Sequence, residues 1–250
     1  MQTADAREQM IEQQVRAWDV LDERVLEVMR QVPRELFVPA AQRFRAYADL
    51  EVPLARGQHM LRPSVAGRLL QALLPQGAES VLEIGTGSGF ITACLRALTA
   101  RVRSLEIFPD LADEARRNLA ALGMRDVEVI DADALQAESG ARYDAIAVTA
   151  SLPQYDARFE RMLAPGGRLF VVVTDNGPGI AEKNLSRVFE PFFTTREVGK
   201  GLGLGLWWIR NFVRRANGDI VVDSTVNVGS SFTIKIPFDR PSAEVRANNR

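Results

Sequence analysis

The sequence is poor in the side chains from which disulfides and metal sites are built. Its 250 residues include one cysteine, Cys94, and one histidine, His59. A single cysteine excludes an intramolecular disulfide and a cysteine-rich zinc site. Cys94 lies in an apolar stretch, which predicts a place in the core. We therefore predict no metal centre.

Long apolar runs and an excess of one charge are also missing. No apolar run approaches the ~20 residues that cross a bilayer, and residues 1–10, MQTADAREQM, lack the basic and apolar regions of a signal peptide. The formal net charge of −1 gives no electrostatic footprint for nucleic acid or an anionic membrane. We expect a cytoplasmic protein that binds neither, and the oligomeric state stays open.

Apolar segments alternate with helical patterns through the first two thirds of the chain. The apolar segments are VLEIG (81–85), VRSLEI (102–107), VEVIDAD (127–133), YDAIAVTA (143–150) and GRLFVVV (167–173). This alternation predicts an α/β fold with a doubly wound, mostly parallel sheet. Two amphipathic helices are expected between residues 5 and 31, with Asp22 capping the second.

A different pattern follows residue 175. We expect a helix at 183–193, a glycine loop, a helix at 207–218 and a β-hairpin at 219–237, and the polar residues 241–250 are expected to be frayed. No proline- or serine-rich linker separates the two patterns, and the change falls inside an apolar strand. We therefore expect one fused sheet, closed by the hairpin at its edge.

The first glycine motif follows the first apolar strand. Gly85, Gly87 and Gly89, with Thr86 between the first two, give G-x-G-x-G rather than the dinucleotide spacing G-x-G-x-x-G. This turn resembles the cofactor turn of S-adenosylmethionine-dependent methyltransferases, whose ligand has no phosphate. Glycines there let the backbone approach the ligand without a Cβ. The alternative is that these glycines only form a tight strand-to-helix turn.

Acidic residues stand at the ends of successive predicted strands. Glu106 is placed to accept both ribose hydroxyls of a nucleoside. Asp133 can accept from the adenine amino group, with the Ala134 amide beside it, and Glu83 can face the amino-acid end of the ligand. Because ligands of such sheets bind at the carboxyl ends of strands, these residues are expected to form one cofactor site.

Residues 8–173 resemble protein-L-isoaspartate O-methyltransferases. The matching segments are MIEQQVRAWDV, VPRELFVPAAQRFRAYAD, PLARGQ, LEIGTGSGF and MLAPGGRLFVVV. The resemblance implies S-adenosylmethionine as cofactor, a protein or peptide substrate, and methylation of an isoaspartyl α-carboxylate. Since the sulfonium is an excellent leaving group and a carboxylate is already a nucleophile, such catalysis is mainly alignment.

The substrate segment departs from that family. The family holds its substrate with Thr-Ile-Ser after Gly-Gln, whereas His59, Met60 and Leu61 follow Gly-Gln here. This resembles a divergent branch and predicts poor activity on isoaspartyl peptides. His59 is either a loop residue lining the cleft or a general base. Thr149, after the fourth strand, is either a substrate contact or a helix cap.

Residues 174–238 resemble the C-terminal part of the ATP-binding domain of sensor histidine kinases, through DNGPGI, FEPFFTT and GKGLGLGL. The resemblance implies that Asp175 accepts from an adenine amino group. It implies that the glycines make room for the ring (Gly177 and Gly179) or cover the phosphates (Gly201, Gly203 and Gly205). No asparagine lies between Asn118 and Asn176, so the residue that holds Mg²⁺ in that family is missing. Weak ATP or ADP binding without kinase activity is therefore the alternative function.

Three segments follow from these resemblances. Residues 1–173 are predicted to form a methyltransferase-like domain with N-terminal helices, residues 174–240 a partial histidine-kinase-type segment, and residues 241–250 a frayed tail. The principal prediction is an S-adenosylmethionine-dependent methyltransferase of the protein carboxyl type.

Overall fold

The computed structural model describes residues 3–136, 140–152, 156–175, 177–195, 202–215, 218–227 and 229–237. Its α-helices are α1 (Thr3–Met10), α2 (Glu23–Gln31), α3 (Pro63–Leu73), α4 (Phe90–Leu98), α5 (Pro109–Ala121), α6 (Arg158–Arg161), α7 (Glu182–Leu185) and α8 (Gly205–Arg215). Its strands are β1 (Val52–Pro53), β2 (His59–Met60), β3 (Gly77–Ile84), β4 (Thr99–Glu106), β5 (Glu128–Asp131), β6 (Tyr143–Val148), β7 (Leu163–Asp175), β8 (Asp219–Thr225) and β9 (Gly229–Pro237). The chain divides into two compact units, residues 1–167 and 168–250, each described by itself below.

Four parallel strands form the centre of the first unit. β3 lies between β4 and β6, and β5 lies on the far side of β4, so the order is β5-β4-β3-β6. The chain moves outward from β3 through α4 and α5 and then returns to the other side of β3 at β6. This reversal creates a switch point at the carboxyl end of β3, where ligands of such sheets bind. The prediction of a mostly parallel, Rossmann-like sheet is confirmed.

The apolar strands are continuous because both of their faces are covered. Val81, Leu82 and Ile84 of β3 are buried, as is the whole of residues 145–148 in β6. α3 and α4 pack onto these strands and onto each other. Cys94 is fully buried on α4, as its apolar neighbours predict.

The N-terminal helices precede this sheet, with one irregularity. α1 continues into a π-helical turn, Ile11–Val15, and a 3₁₀ turn, Arg16–Trp18, and ends where Asp19 adopts a left-handed conformation (φ 59°). The cap of α2 is confirmed, since the Asp22 carboxylate accepts from the Arg24 amide at 3.0 Å.

Short 3₁₀ turns and one small hairpin connect these helices to the sheet. The turns are Arg34–Leu36, Ala40–Arg45 and Ala55–Gly57. β1 and β2 pair antiparallel, with Val52 opposite Met60. This pairing folds the segment between Pro53 and His59 into a tight loop.

The second unit contains the predicted hairpin. β8 and β9 pair antiparallel, and β9 also pairs antiparallel with β7 from Arg168, opposite Pro237, to Asp175, opposite Ser230. The unit has its own small core, formed by Val188, Phe189, Val213 and Ile220.

Two predicted helices are shorter than expected. The segment predicted as a helix at 183–193 contains only α7, followed by turns from residue 186. At its far end helical geometry is disfavoured, because Pro191 restricts Glu190 and Phe192 is left-handed (φ 65°). In the first unit, the pattern DARFERML (156–163) also predicts a helix, and the structure limits it to Arg158–Arg161. The predicted tail, 241–250, and Gly201 of the glycine loop lie outside the described residues.

Candidate functional site

The glycine turn lies between β3 and α4, at the switch point. Gly85, Gly87 and Gly89 all have positive φ, at 97°, 54° and 88°. A Cβ on Gly85 would stand 2.6 Å from the Ala150 amide nitrogen, and one on Gly89 would stand 3.2 Å from the Ala115 Cβ. These two glycines are therefore required by packing within the protein.

Gly87 is different from its neighbours. A Cβ there would meet nothing closer than the Leu54 Cδ1 atom at 3.4 Å. Because Gly87 has no side chain, free space remains at this position beside a cleft, and no backbone of the described residues occupies that space. Gly87 is the glycine of the three that fits close approach by a ligand.

A small cleft, partly open to solvent, lies beside this turn. One wall comes from β3, the turn and α4, and the facing wall comes from the β1–β2 hairpin and the residue after it. The lining residues are Glu83, Gly85, Gly87, Ser88, Phe90 and Ile91, then Leu54, His59, Met60 and Leu61, with Arg34 and Thr149 completing it. The predicted cofactor turn and the predicted substrate segment thus share one cleft.

Glu83 is a fully buried acid in this cleft. Its Oε2 atom accepts from the Thr92 hydroxyl at 2.5 Å and the Ser104 hydroxyl at 2.8 Å. Its Oε1 atom has no hydrogen-bond partner among the described residues. Burial raises the pKa of Glu83 to about 8. Thr86 joins the network through a 2.6 Å hydrogen bond between its hydroxyl and that of Ser104.

Glu106 lies at the carboxyl end of β4 with its carboxylate fixed by backbone amides. Oε2 accepts from the Gly87 amide at 2.8 Å, and Oε1 accepts from the Phe108 amide at 3.1 Å. Each carboxylate oxygen has a second lone pair, so the group can still accept from a ligand hydroxyl. The bond to Gly87 ties the acid to the glycine turn.

Asp133 follows β5, two residues beyond the pairing of Asp131 with Glu106. Its carboxylate accepts from the Leu135 amide at 2.8 Å and from the Gln136 side-chain amide at 2.9 Å. Ala134 is buried beside it. The structure thus places Glu106, Asp133 and Ala134 at neighbouring strand ends, although none of them lines the cleft itself.

The two predicted catalytic candidates occupy different settings. The Thr149 hydroxyl donates to the carbonyl of Ile84 at 2.9 Å or of Gly85 at 2.7 Å, so it joins β6 to the end of β3. His59 is exposed on β2 and borders the cleft. A role in catalysis stays a prediction for both residues.

Arg34 is a cleft residue that the sequence patterns did not single out. It is 1% exposed, and its guanidinium lies 4.8 Å from the centre of the Phe90 ring. Nε donates to the Ala46 carbonyl at 3.0 Å and Nη2 to the Leu61 carbonyl at 2.7 Å, whereas Nη1 has no partner in the part of the chain that the structure describes. Burial lowers the pKa of Arg34 to about 10. The available signal was an arginine inside the apolar stretch VPRELFV.

The glycines of the kinase-like segment pack mainly against their own unit. A Cβ on Gly179 would stand 2.1 Å from the Thr225 carbonyl oxygen, and one on Gly203 would stand 2.4 Å from that of Phe193. Gly205 opens α8 with free space around it. Asp175 pairs through its backbone at the end of β7, and Gly177 follows in a bend.

The described residues contain no group of three or more histidine, cysteine or acidic side chains arranged to hold a metal ion. None of their helices is long and apolar enough to span a membrane.

Comparison with known families decides the lineage of most of the chain. The family model of protein-L-isoaspartate(D-aspartate) O-methyltransferases matches residues 5–186. The chain belongs to this family. A second model, of histidine kinase-, DNA gyrase B- and HSP90-like ATPases, matches residues 134–240. Both predicted resemblances are therefore found. The two matches overlap between residues 134 and 186, whereas the sequence patterns predicted a sharp boundary near residue 173.

Individual relatives agree with this assignment. The Methanoculleus marisnigri protein-L-isoaspartate O-methyltransferase is 44% identical over 168 residues, which cover 67% of this chain and 76% of the relative. The Rhodopseudomonas palustris enzyme is 40% identical over 191 residues, covering 76% and 88%.

A solved Plasmodium falciparum structure of the same description, in complex with S-adenosyl-L-homocysteine, shares the fold. Its TM-score is 0.59 at 21% identity, covering 66% of this chain and 83% of that one. The chain is thus an S-adenosylmethionine-dependent methyltransferase by family, as the glycine turn and its acidic neighbours predict.

Proposed function

We propose that the protein transfers the methyl group of S-adenosylmethionine to a carboxylate of a protein or peptide. The observation that carries the proposal is the shared cleft. The glycine turn and buried Glu83 form one wall, and residues 59–61, which correspond to the family's substrate segment, form the other. Methyl donor and methyl acceptor would therefore meet between them.

The residues at the switch point fit the proposed cofactor. Glu83 Oε1 is a buried acceptor with no partner, which suits the ammonium of the amino-acid end. Gly87 leaves room for close approach, and Glu106 retains acceptor capacity for the ribose hydroxyls. Asp133 and the Ala134 amide would take the adenine edge. The bound cofactor supplies a methyl group on a sulfonium leaving group.

The transfer itself needs little from side chains. The cofactor would supply a methyl group on sulfur, and its transfer would replace the C–S bond by a C–O bond to the carboxylate, leaving a methyl ester and S-adenosylhomocysteine. Neither product requires a proton from the protein. The cleft residues therefore act by holding the carboxylate oxygen, methyl carbon and sulfur in line.

The substrate side supports a narrower proposal. His59, Met60 and Leu61 bring an imidazole and two apolar side chains to the position where the family has hydroxyls. We infer a divergent branch of the family with low activity on isoaspartyl peptides. An acceptor with an apolar group beside its carboxylate would match Met60 and Leu61 better.

Calorimetric titration with S-adenosylhomocysteine tests the cofactor site. Wild-type protein is expected to bind, and Glu106→Ala should weaken binding by about 1–3 kcal/mol, the cost of losing a charged hydrogen-bond partner. Glu128→Ala is the matched control, because Glu128 also stands on a strand of this sheet but pairs with Arg103 at the surface. Absence of wild-type binding at millimolar ligand would refute the proposal.

A second function is favoured by the ATPase-type match over residues 134–240. The segment 174–240, including the β8–β9 hairpin, would be of histidine-kinase type and would bind ADP or ATP through Asp175 and the two glycine loops. It would lack kinase activity because the asparagine that holds Mg²⁺ is missing. The internal packing of Gly179 and Gly203 makes this the weaker candidate, since both glycines have a structural reason without any ligand.

A further inference from the structure

Arg34 has an unusual place in the cleft. It comes from the 3₁₀ turn Arg34–Leu36, outside the sheet, and its side chain reaches the cleft wall fully buried. Among the described residues, no carboxylate forms an ion pair with it. Asp49, the acid that influences it electrostatically, is bound by Ser64 through the amide at 3.0 Å and the hydroxyl at 2.9 Å.

Two of the three guanidinium nitrogens are already in use. Nε and Nη2 hold the carbonyls of Ala46 and Leu61, so the plane of the group is fixed from one side. Nη1 is buried, and no acceptor for it lies among the residues that the structure describes. A buried charged donor without a partner is costly in a folded protein, and such groups call for an explanation. A packing role for Arg34 accounts for Nε and Nη2 but leaves Nη1 unexplained.

The chemistry of the missing partner follows from the donor. A fixed guanidinium N–H in a dry site prefers an anionic oxygen, and carboxylates are its best match among the groups the proposed reaction brings to the cleft. The cleft is also lined by Glu83, whose Oε1 atom is a buried acceptor without a donor among the described residues. Arg34 and Glu83, the residues that carry these two atoms, both line the cleft in which the reacting groups would meet.

We propose that Arg34 binds a ligand carboxylate in the cleft through Nη1 and, through its bond to the Leu61 carbonyl, sets the position of the substrate segment 59–61. The inference rests on the proposed function. Two carboxylates enter that reaction, the one at the amino-acid end of the cofactor and the one on the methyl acceptor. Both present the same oxygen chemistry to Nη1.

The first arm of the test compares two cofactor fragments by calorimetry. S-adenosylhomocysteine carries the amino-acid carboxylate, and 5′-methylthioadenosine lacks the whole amino-acid end. If Arg34 binds the cofactor, Arg34→Gln lowers the affinity for S-adenosylhomocysteine about tenfold or more, the scale of one lost charge-assisted hydrogen bond, and leaves that for methylthioadenosine unchanged.

The second arm uses a fluorescent isoaspartyl peptide and its α-carboxamide counterpart, titrated by anisotropy with S-adenosylhomocysteine saturating. If Arg34 binds the acceptor, wild-type protein prefers the carboxylate peptide and Arg34→Gln loses that preference. Arg34→Lys keeps the positive charge but loses the planar guanidinium geometry. If Arg34→Gln does not fold, both titrations are done with Arg34→Lys. It is expected to shift the same ratios by a smaller factor.

Arg96→Gln is the matched control. Arg96 also donates to a backbone carbonyl, that of Thr99 at 3.3 Å, and pairs with Asp126 away from the cleft. This variant should keep both ligand ratios. Arg34 variants that weaken all ligands equally, or leave both ratios at the wild-type value, would overturn the inference alone. Wild-type protein that binds neither S-adenosylhomocysteine nor peptide would overturn the proposed function and the inference with it.

Discussion

Glu83 shows how burial sets the protonation state of a single residue in the cleft. Thr92 and Ser104 donate to its carboxylate, which favours ionisation, but burial is the larger effect and the negative charge of Glu106 adds to it. The pKa of Glu83 is therefore raised to about 8 from 4.5. At neutral pH the ligand-free protein carries most of this group as the neutral acid.

This shift predicts a pH dependence of stability. Between pH 4.5 and about 8 the folded protein holds a proton on Glu83 that the unfolded chain releases. Unfolding is then favoured by rising pH, so this group's contribution is fully present below pH 4.5 and is lost by about pH 8. The free energy of unfolding should fall by up to about 1.4 kcal/mol per pH unit over this window.

Urea unfolding at several pH values measures this slope. Glu83→Gln removes the titrating group while keeping its shape, and the difference in slope between variant and wild type isolates Glu83 from the other carboxylates. Glu128→Gln, at the surface on β5, should leave the slope unchanged. A wild-type slope identical to that of Glu83→Gln would show that Glu83 ionises normally in the fold.

At the scale of residues, the sequence predicts positions better than roles. Glu83, Glu106 and Asp133 lie near strand ends as expected, because the end of an apolar strand can be located from the sequence and parallel strands bring their ends to one edge. Their cofactor contacts stay a prediction. Arg34 could not be predicted as a cleft residue, because its position depends on hydrogen bonds to segments distant in sequence, through the carbonyls of Ala46 and Leu61. No local pattern predicts a tertiary contact of that kind.

At the scale of elements, the sheet followed from the sequence better than the short helices did. Continuous apolar strands and Pro-initiated helices such as α3 and α5 have strong local signals. The expected helix at 183–193 is limited to the single turn of α7, and Pro191 and a left-handed Phe192 exclude helical geometry at the far end of the segment despite its apolar periodicity. The π-helical turn after α1 has no counterpart in a 3.6-residue pattern, so it was not foreseen.

The β1–β2 hairpin is the element that should control the choice of methyl acceptor. His59 and Leu61 occupy the positions of hydroxyl-bearing residues in the family, and Leu61 is held in place through its carbonyl by Arg34. A buried polar group left unpaired costs about 1–3 kcal/mol. We therefore expect low wild-type activity on an isoaspartyl peptide and about a tenfold or greater gain from combining His59→Thr with Leu61→Ser.

A methyl-transfer assay with the isoaspartyl peptide decides this point. Leu21→Ser is the matched control, because Leu21 is 62% exposed outside the cleft and its loss should not change the rate. Rapid wild-type turnover would contradict the expectation. A double variant with no gain would move the cause away from the hairpin.

On the scale of the whole molecule, two family signatures share one chain. The methyltransferase match ends at residue 186 and the ATPase-type match begins at residue 134, so the overlap includes β6 and β7. An apolar strand followed by a turn serves both folds equally well, because such a strand needs only an apolar environment and backbone partners. In the second unit, β7 receives those partners from β9 along Arg168–Asp175.

The missing asparagine limits how the second unit could bind a nucleotide. Phosphoryl transfer depends on Mg²⁺ neutralising the phosphates, and this chain has no asparagine between Asn118 and Asn176 to hold the ion. In the proposed nucleotide site, any ADP or ATP affinity would come from Asp175 and the glycine loops. We expect such binding to be weak and to change less than about twofold when Mg²⁺ is added.

Titration of the full chain with ADP, with and without Mg²⁺, provides the measurement, and Asp175→Asn tests the adenine contact. Asp219→Asn is the control, since Asp219 begins β8 and its carboxylate accepts from the adjacent Ile220 amide at 2.9 Å. Strong Mg²⁺ dependence, or phosphorylation of His59 from ATP, would show that the metal is held by other residues. If ADP does not bind while S-adenosylhomocysteine still binds, the second unit has kept the sequence motifs of the ATPase family but has lost nucleotide binding. That result would agree with the packing of Gly179 and Gly203 against their own backbone.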